Sequence, residues 1–203
     1  MSDPTPLPMR RLPKQTLHHV WAPKLARPVV LNGLRQLQLW TLLEANPGVT
    51  RYVERPCEVD DATEGLATDF WAMRHGRATW LRVEGATHEQ ATAGLPAQNP
   101  SLVLVSAEEL DRHRVWIQNW QSLLPYLSCS ASIDLSGLRA QVVAFFAREA
   151  SLEDAERHLA AADPVLVRAA AIDGLHRGDL YSAELLVSPW TASLRIRQRP
   201  RVS

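Results

Sequence analysis

Apolar and polar positions along the chain alternate between helical and strand spacing. Over residues 31–44 the apolar positions 31, 34, 37, 39, 42 and 43 suit an amphipathic helix, and Asn46-Pro47-Gly48 ends the run. Residues 49–59 read as a strand with Pro56 near an edge or bulge, followed by a polar turn over 60–65 and a second strand over 66–73. His75-Gly76 is a hairpin turn into a third strand over 78–83. A short helix over 87–94 and a loop over 95–100 lead to an uninterrupted apolar strand, 102–105. Ser106 with Glu109 three positions on predicts a capping box, opening a helix that runs through Trp116 and Asn119 to Leu124, where Pro125 breaks it. Strands between helices predict a mixed α/β layer.

The pattern changes beyond residue 130. Helical spacing covers 135–147, Ser151 opens a second helix to about 161, and Asp163-Pro164 opens a third that ends at Arg177-Gly178. Short strands over 180–187 and 193–197 flank Ser188-Pro189. Three helices followed by a β-hairpin is a winged-helix-like order. At the other end, residues 1–28 hold six of the fourteen prolines and no periodic pattern, which predicts an extended arm. The expected organisation is therefore an arm over 1–28, an α/β domain over 29–129 and a small helical, winged-helix-like domain over 130–203 with an Arg-rich tail.

The formal net charge of zero hides an uneven distribution. Residues 1–56 carry eight Lys/Arg against three Asp/Glu, and residues 57–130 carry five against ten. Such asymmetry permits nucleic-acid contact. In the arm the cations are Arg10, Arg11, Lys14, Lys24 and Arg27; at the C-terminus Arg195, Arg197, Arg199 and Arg201 alternate, so that on a strand all four share one side. On the third helix of the last domain Arg168, His176 and Arg177 sit where a recognition helix would meet DNA. Trp21, inside the basic arm, is the candidate anchor for a partner groove. Two cysteines, no CxxC pair, no secretory signal and no apolar run of membrane length lead to the expectation of a cytoplasmic chain. There is no Gly-rich phosphate loop and no GxSxG elbow.

Four segments in order carry a resemblance: "LLEANPGVTRYVERP", "TDF", "LVLVSAEEL…IQNWQSLLPYL" and "LEDAERHL…DPVLVRAAAIDGLHRGDL". Together they resemble the TnsA family, the endonuclease subunit of heteromeric cut-and-paste DNA transposons, over roughly residues 27–200. The resemblance implies a restriction-endonuclease-like mixed sheet flanked by helices, followed by the small C-terminal domain. It also implies work alongside a DDE-type transposase and an AAA+ ATPase on double-stranded DNA. In active members a helix Glu, a strand Asp and a Glu-x-Lys hold divalent metal and activate water to cut the 5′ strand at each transposon end.

Carried over position by position, the helix Glu falls on Gln36, the Asp on Asp69, and Glu-x-Lys on Arg82 and Glu84. A register slipped by one residue puts the last motif on Val83 and Gly85. Neither register supplies the Lys. An amide brings no charge to Mg²⁺, and an Arg repels it. The expectation is a TnsA-like subunit whose nuclease chemistry is lost, with no cofactor, bridging transposon-end DNA, transposase and ATPase. Two alternatives stand beside it. One is an active Mg²⁺-dependent endonuclease using Asp69 and Glu84, with a third carboxylate from Glu44, Glu58, Asp60 or Glu64. The other is a winged-helix DNA-binding regulator.

Overall fold

The computed structural model of the chain describes residues 4–8, 15–57, 68–84 and 102–200. It divides into two compact units, one of residues 1–43 and 48–112 and one of residues 44–47 and 113–203. The division falls after Arg112 rather than at the 129/130 boundary read from the sequence, because the helix that follows packs with the C-terminal residues.

The first unit begins with β1 (Thr5–Pro6), β2 (Leu17–Ala22) and β3 (Arg27–Asn32), then α1 (Gly33–Ala45), β4 (Val49–Glu54), β5 (Pro56–Cys57), β6 (Phe70–Arg74), β7 (Arg77–Val83), β8 (Leu102–Val105) and α2 (Ala107–Arg112). Strands β2 and β3 form an antiparallel hairpin, so the second half of the proline-rich arm is strand rather than the aperiodic stretch expected. Val29 and Leu31 are buried on one side of it, and its Pro23 lies in the turn, where a fixed φ helps. The prolines dominate the composition and mask a six-residue alternation.

A four-stranded sheet in the order β4-β6-β7-β8 carries the unit. Strands β4, β6 and β7 pair antiparallel, while β8 runs parallel to β7. Arg74 pairs with Arg77 across His75-Gly76, whose φ angles of 48° and 75° are the left-handed pair that suits the twist of a two-residue hairpin. Phe70, Trp71 and Ala72 are all buried, so β6 is covered on both faces. Trp40 of α1 donates to the hydroxyl of Tyr52 on β4 at 2.8 Å, and Tyr52 meets Phe70 edge-on. Ser106 accepts from the Glu109 N–H, as the capping motif predicts. The short helix expected over 87–94 lies outside the described residues.

The second unit contains α3 (Arg114–Cys129), α4 (Ser136–Phe145), β9 (Ala150–Ser151), α5 (Leu152–His158), α6 (Pro164–Arg177), β10 (Leu180–Tyr181), a 3₁₀ turn (Glu184–Leu186) and β11 (Arg195–Gln198). The single helix expected over 107–124 is therefore two, separated at His113, and Pro125 lies inside α3 without ending it. Leu123, Leu124 and Leu127 are buried around that proline, and their packing offsets the missing backbone bond. Strands β10, β11 and β9 form a three-stranded antiparallel sheet in that order. The strand expected over 180–187 shortens to two residues, because the chain turns into the 3₁₀ segment after Tyr181.

Helix α6 runs through the core of this unit, with Val167, Ala169, Ala170, Ala171, Ile172 and Leu175 buried. Asp163 caps its start by accepting from the Val165 N–H at 2.7 Å, Pro164 follows, and Gly178 closes it in the left-handed conformation at φ 83°. A Cβ on Gly178 would stand 2.7 Å from the Cβ of Pro47. Gly178→Ala is therefore expected to cost at least about 1–2 kcal/mol from the backbone alone. A thermal melt as stable as wild type would contradict this.

Among the described residues no helix is long and apolar enough to cross a membrane.

Candidate functional site

Of the residues aligned with the nuclease motif, Gln36 and Asp69 meet inside the first unit. Asp69 sits just before β6, held by its own backbone: its N–H donates to Leu81 O on β7 and its carbonyl accepts from the Arg55 N–H, both at 2.9 Å. Arg55 adopts φ 46°, so the chain leaves β4 through a backbone conformation that L residues rarely take. Its guanidinium fixes that turn, donating to Val30 O at 2.6 Å and Leu7 O at 3.2 Å, while burial lowers its pKa. The Asp69 side chain is only 2% exposed.

Its two carboxylate oxygens are both occupied. Oδ1 accepts from Gln36 Nε2 at 2.7 Å, and Oδ2 accepts from the Val83 N–H at 2.6 Å. Gln36, itself buried in the first turns of α1, accepts the Asn32 N–H through Oε1 at 2.6 Å. An uninterrupted relay thus runs from the end of β3, through the Gln36 amide and the Asp69 carboxylate, to the end of β7. Each of these contacts runs from an N–H donor to an oxygen acceptor, which is what a buried carboxylate and amide need to offset their loss of water.

The other two motif positions lie at the rim. Arg82 is half-buried and Glu84 is exposed at the end of β7. The Glu84 backbone is pinned, its N–H donating to Val105 O at 3.0 Å and its carbonyl accepting from Arg35 Nη1 at 2.8 Å. Arg35 is a member of this cluster that sequence reasoning missed. It stands beside Gln36 on α1 and carries no pattern that separates it from other surface arginines.

Among the described residues, the donors at this site do not suit a divalent cation. Mg²⁺ seeks charged oxygen ligands, whereas both oxygens of Asp69 already face N–H groups and Gln36 turns its Nε2 toward the carboxylate. Of the replacement carboxylates, Glu44 belongs to the second unit and bonds His176 at 2.9 Å, while Glu58, Asp60 and Glu64 lie outside the described residues. Among the described residues no group of three or more His, Cys, Asp and Glu side chains is arranged to hold a metal ion.

The candidate DNA-contacting residues separate into two kinds. His176 is buried, its Nε2 against Glu44 Oε1 and its ring 5.9 Å from that of Trp120. That depth corrects its placement on a DNA-facing side of the helix: the ring belongs to the core. Arg168 donates to Glu156 Oε1 at 2.8 and 2.9 Å and to the Tyr126 hydroxyl at 3.4 Å, and hydrogen bonds to Tyr126 and then Glu156 raise its pKa. Arg177 is exposed but paired with Asp173. Arg195, Arg197 and Arg199 are exposed along and just beyond β11, with Ile196 turned into the core between the first two; Arg195 lies 3.8 Å from Asp154 Oδ2, while Arg197 and Arg199 are in no ion pair among the described residues. Trp21 is 37% exposed on β2 opposite Pro28. Arg10, Arg11, Lys14 and Arg201 lie outside the described residues.

No family model matches the chain, and no curated protein matches it.

Proposed function

We propose that the chain is a TnsA-like DNA transposition subunit in which a restriction-endonuclease-like core has lost its chemistry. Its task is to bridge double-stranded transposon-end DNA, a DDE-type transposase and an AAA+ ATPase. The observation that carries this reading is the contact between Gln36 Nε2 and Asp69 Oδ1. In an active nuclease of this plan two carboxylates would face one another there with a metal ion between them. Here an amide N–H takes the place of the cation and satisfies the remaining carboxylate directly. Arg82, where an acid would sit, adds a charge that repels a metal.

The sheet order supports the same reading. A helix carrying the first motif position precedes three antiparallel strands, and a fourth strand joins in parallel beside the one that ends in Arg82-Val83-Glu84. In the second unit the order α4, β9, α5, α6, β10, β11, with β11 between β10 and β9, supports the reading of a winged-helix-like domain. The exposed arginines of β11 supply the phosphate-facing charge.

Co-purification of the full chain with the transposase and ATPase of the same system, and titration of a labelled duplex, test the proposal. The expected result is salt-sensitive duplex binding together with retention of at least one of the two proteins. A chain that binds neither DNA nor either protein would sink it.

A further inference from the structure

In a helix-led DNA reader, α6 is the element that would lie in the major groove. Here it is closed to that use: eight of its residues, from Val167 to His176, are buried. Its arginines are committed, Arg168 to Glu156 and Arg177 to Asp173.

The β10–β11 hairpin has the opposite character. The guanidinium groups of Arg197 and Arg199 lie 5.6 and 5.8 Å from the centre of the Tyr181 ring. Among the described residues neither is in an ion pair, whereas Arg139, Arg157, Arg168 and Arg177 of the same unit all are. Between the two strands the chain is clamped by Asn119. Its Nδ2 donates to Leu185 O and Ser188 O at 2.8 Å each, and its Oδ1 accepts from the Trp190 N–H at 2.7 Å. The clamp grips the backbone on both sides of Leu186 and Val187. Leu185 is buried at 1% exposure, while Leu186 and Val187 stand 47% and 73% exposed. The neighbouring Glu184 carboxylate is turned back onto the Arg195 N–H at 3.0 Å. An exposed apolar pair, held on both sides by Asn119, therefore lies in the segment between β10 and β11, with the unpaired Arg197 on β11 and Arg199 just beyond it.

We propose that this hairpin, and not α6, holds duplex DNA, with Arg197 and Arg199 on phosphates and the Leu186–Val187 knuckle seated in the minor groove. The proposal rests on the DNA-binding reading above and specifies how that binding is made. Proteins that enter the minor groove combine arginine with a small apolar wedge. Both guanidinium groups lie over the one Tyr181 ring, so they offer two neighbouring charges to a single phosphate strand. Stacking on Tyr181 holds them in place before DNA arrives, and the Asn119 clamp does the same for the knuckle. Contacts of this kind read A·T against G·C and little else.

The test is fluorescence anisotropy of the full chain on short A·T-rich and G·C-rich duplexes over a salt series, with circular dichroism melts to verify folding. R197A/R199A is expected to reduce the log–log salt slope by about 2, one for each lost phosphate contact. R157A, whose guanidinium is exposed and already paired with Asp154, is expected to leave it unchanged. L186S/V187S is expected to keep the slope, lose the A·T preference and weaken binding about tenfold, roughly 1.4 kcal/mol. Netropsin, a minor-groove ligand, is expected to displace wild type. An unaltered slope in R197A/R199A would overturn the hairpin while leaving DNA binding intact. Failure of wild type to bind any duplex at low salt would overturn both readings. If L186S/V187S bound DNA normally but lost the transposase or ATPase, the knuckle would be a protein contact and the proposal would fall.

Discussion

Gln36→Glu is expected to destabilise the first unit by about 3 kcal/mol at neutral pH. The substitution is nearly isosteric and keeps the oxygen that accepts from the Asn32 N–H. Its single consequence is to replace the Nε2 donor by a second carboxylate oxygen, 2.7 Å from Asp69 Oδ1 in a site closed to water. Two buried carboxylates at that distance cannot both ionise without a cation, so the folded pair retains a proton that the unfolded chain has released. The sign follows: the pair's folded pKa lies above the unfolded value, so the penalty is absent below the unfolded carboxylate range. It grows as pH rises through the folded value. A divalent cation offsets the same repulsion, and Mg²⁺ or Mn²⁺ is expected to stabilise the variant more than wild type. Urea unfolding of both chains at several pH values, with and without metal, reads all of this. A variant as stable as wild type at neutral pH without metal would show that the Gln36–Asp69 contact does not hold the site together.

Asn119→Ala is expected to cost the second unit about 3–5 kcal/mol and to loosen the segment between β10 and β11. The side chain is 4% exposed and makes three hydrogen bonds, all to backbone groups 66 to 71 residues away. Removing it leaves two carbonyls and one N–H without their partner, and each such group costs about 1–3 kcal/mol when it stays buried. The 3₁₀ turn keeps its own bonds to Ala183 O and Glu184 O, so local structure survives while its attachment to α3 does not. Amide exchange is expected to accelerate over residues 185–190 before it does in α6. Equal protection in variant and wild type would contradict the clamp.

Sequence reasoning reached the parts of this molecule that local rules decide. His75-Gly76 fixes the register of β6 and β7, because the two-residue turn needs left-handed backbone at both positions. Asp163, Pro164 and Gly178 mark both ends of α6 through capping chemistry confined to a few neighbouring residues. Gln36 and Asp69 were named together only through the family resemblance, and their direct hydrogen bond was not legible in the sequence. What escaped was set by distant partners. No periodicity marks Ala150–Ser151 as a strand, since two residues show no alternation and its partner is β11. Nothing near Asn119 signals that its ligands lie beyond residue 184. The Val83 N–H that donates to Asp69 is invisible in a side-chain motif, because it is backbone. His176 reads as surface chemistry only if Glu44, far away in sequence, is left out of account. Composition misled in the arm, where prolines hid the β2–β3 hairpin.

The most direct test of the central claim is strand cleavage of an end-labelled transposon-end duplex on a denaturing gel. Wild type and Asp69→Ala are compared in Mg²⁺ and in Mn²⁺, with and without the transposase and ATPase. A silent core predicts no 5′-strand cutting attributable to this chain under any of these conditions, with duplex binding retained. Metal-dependent cutting by wild type that disappears in Asp69→Ala would contradict the account and show that this site works as a nuclease.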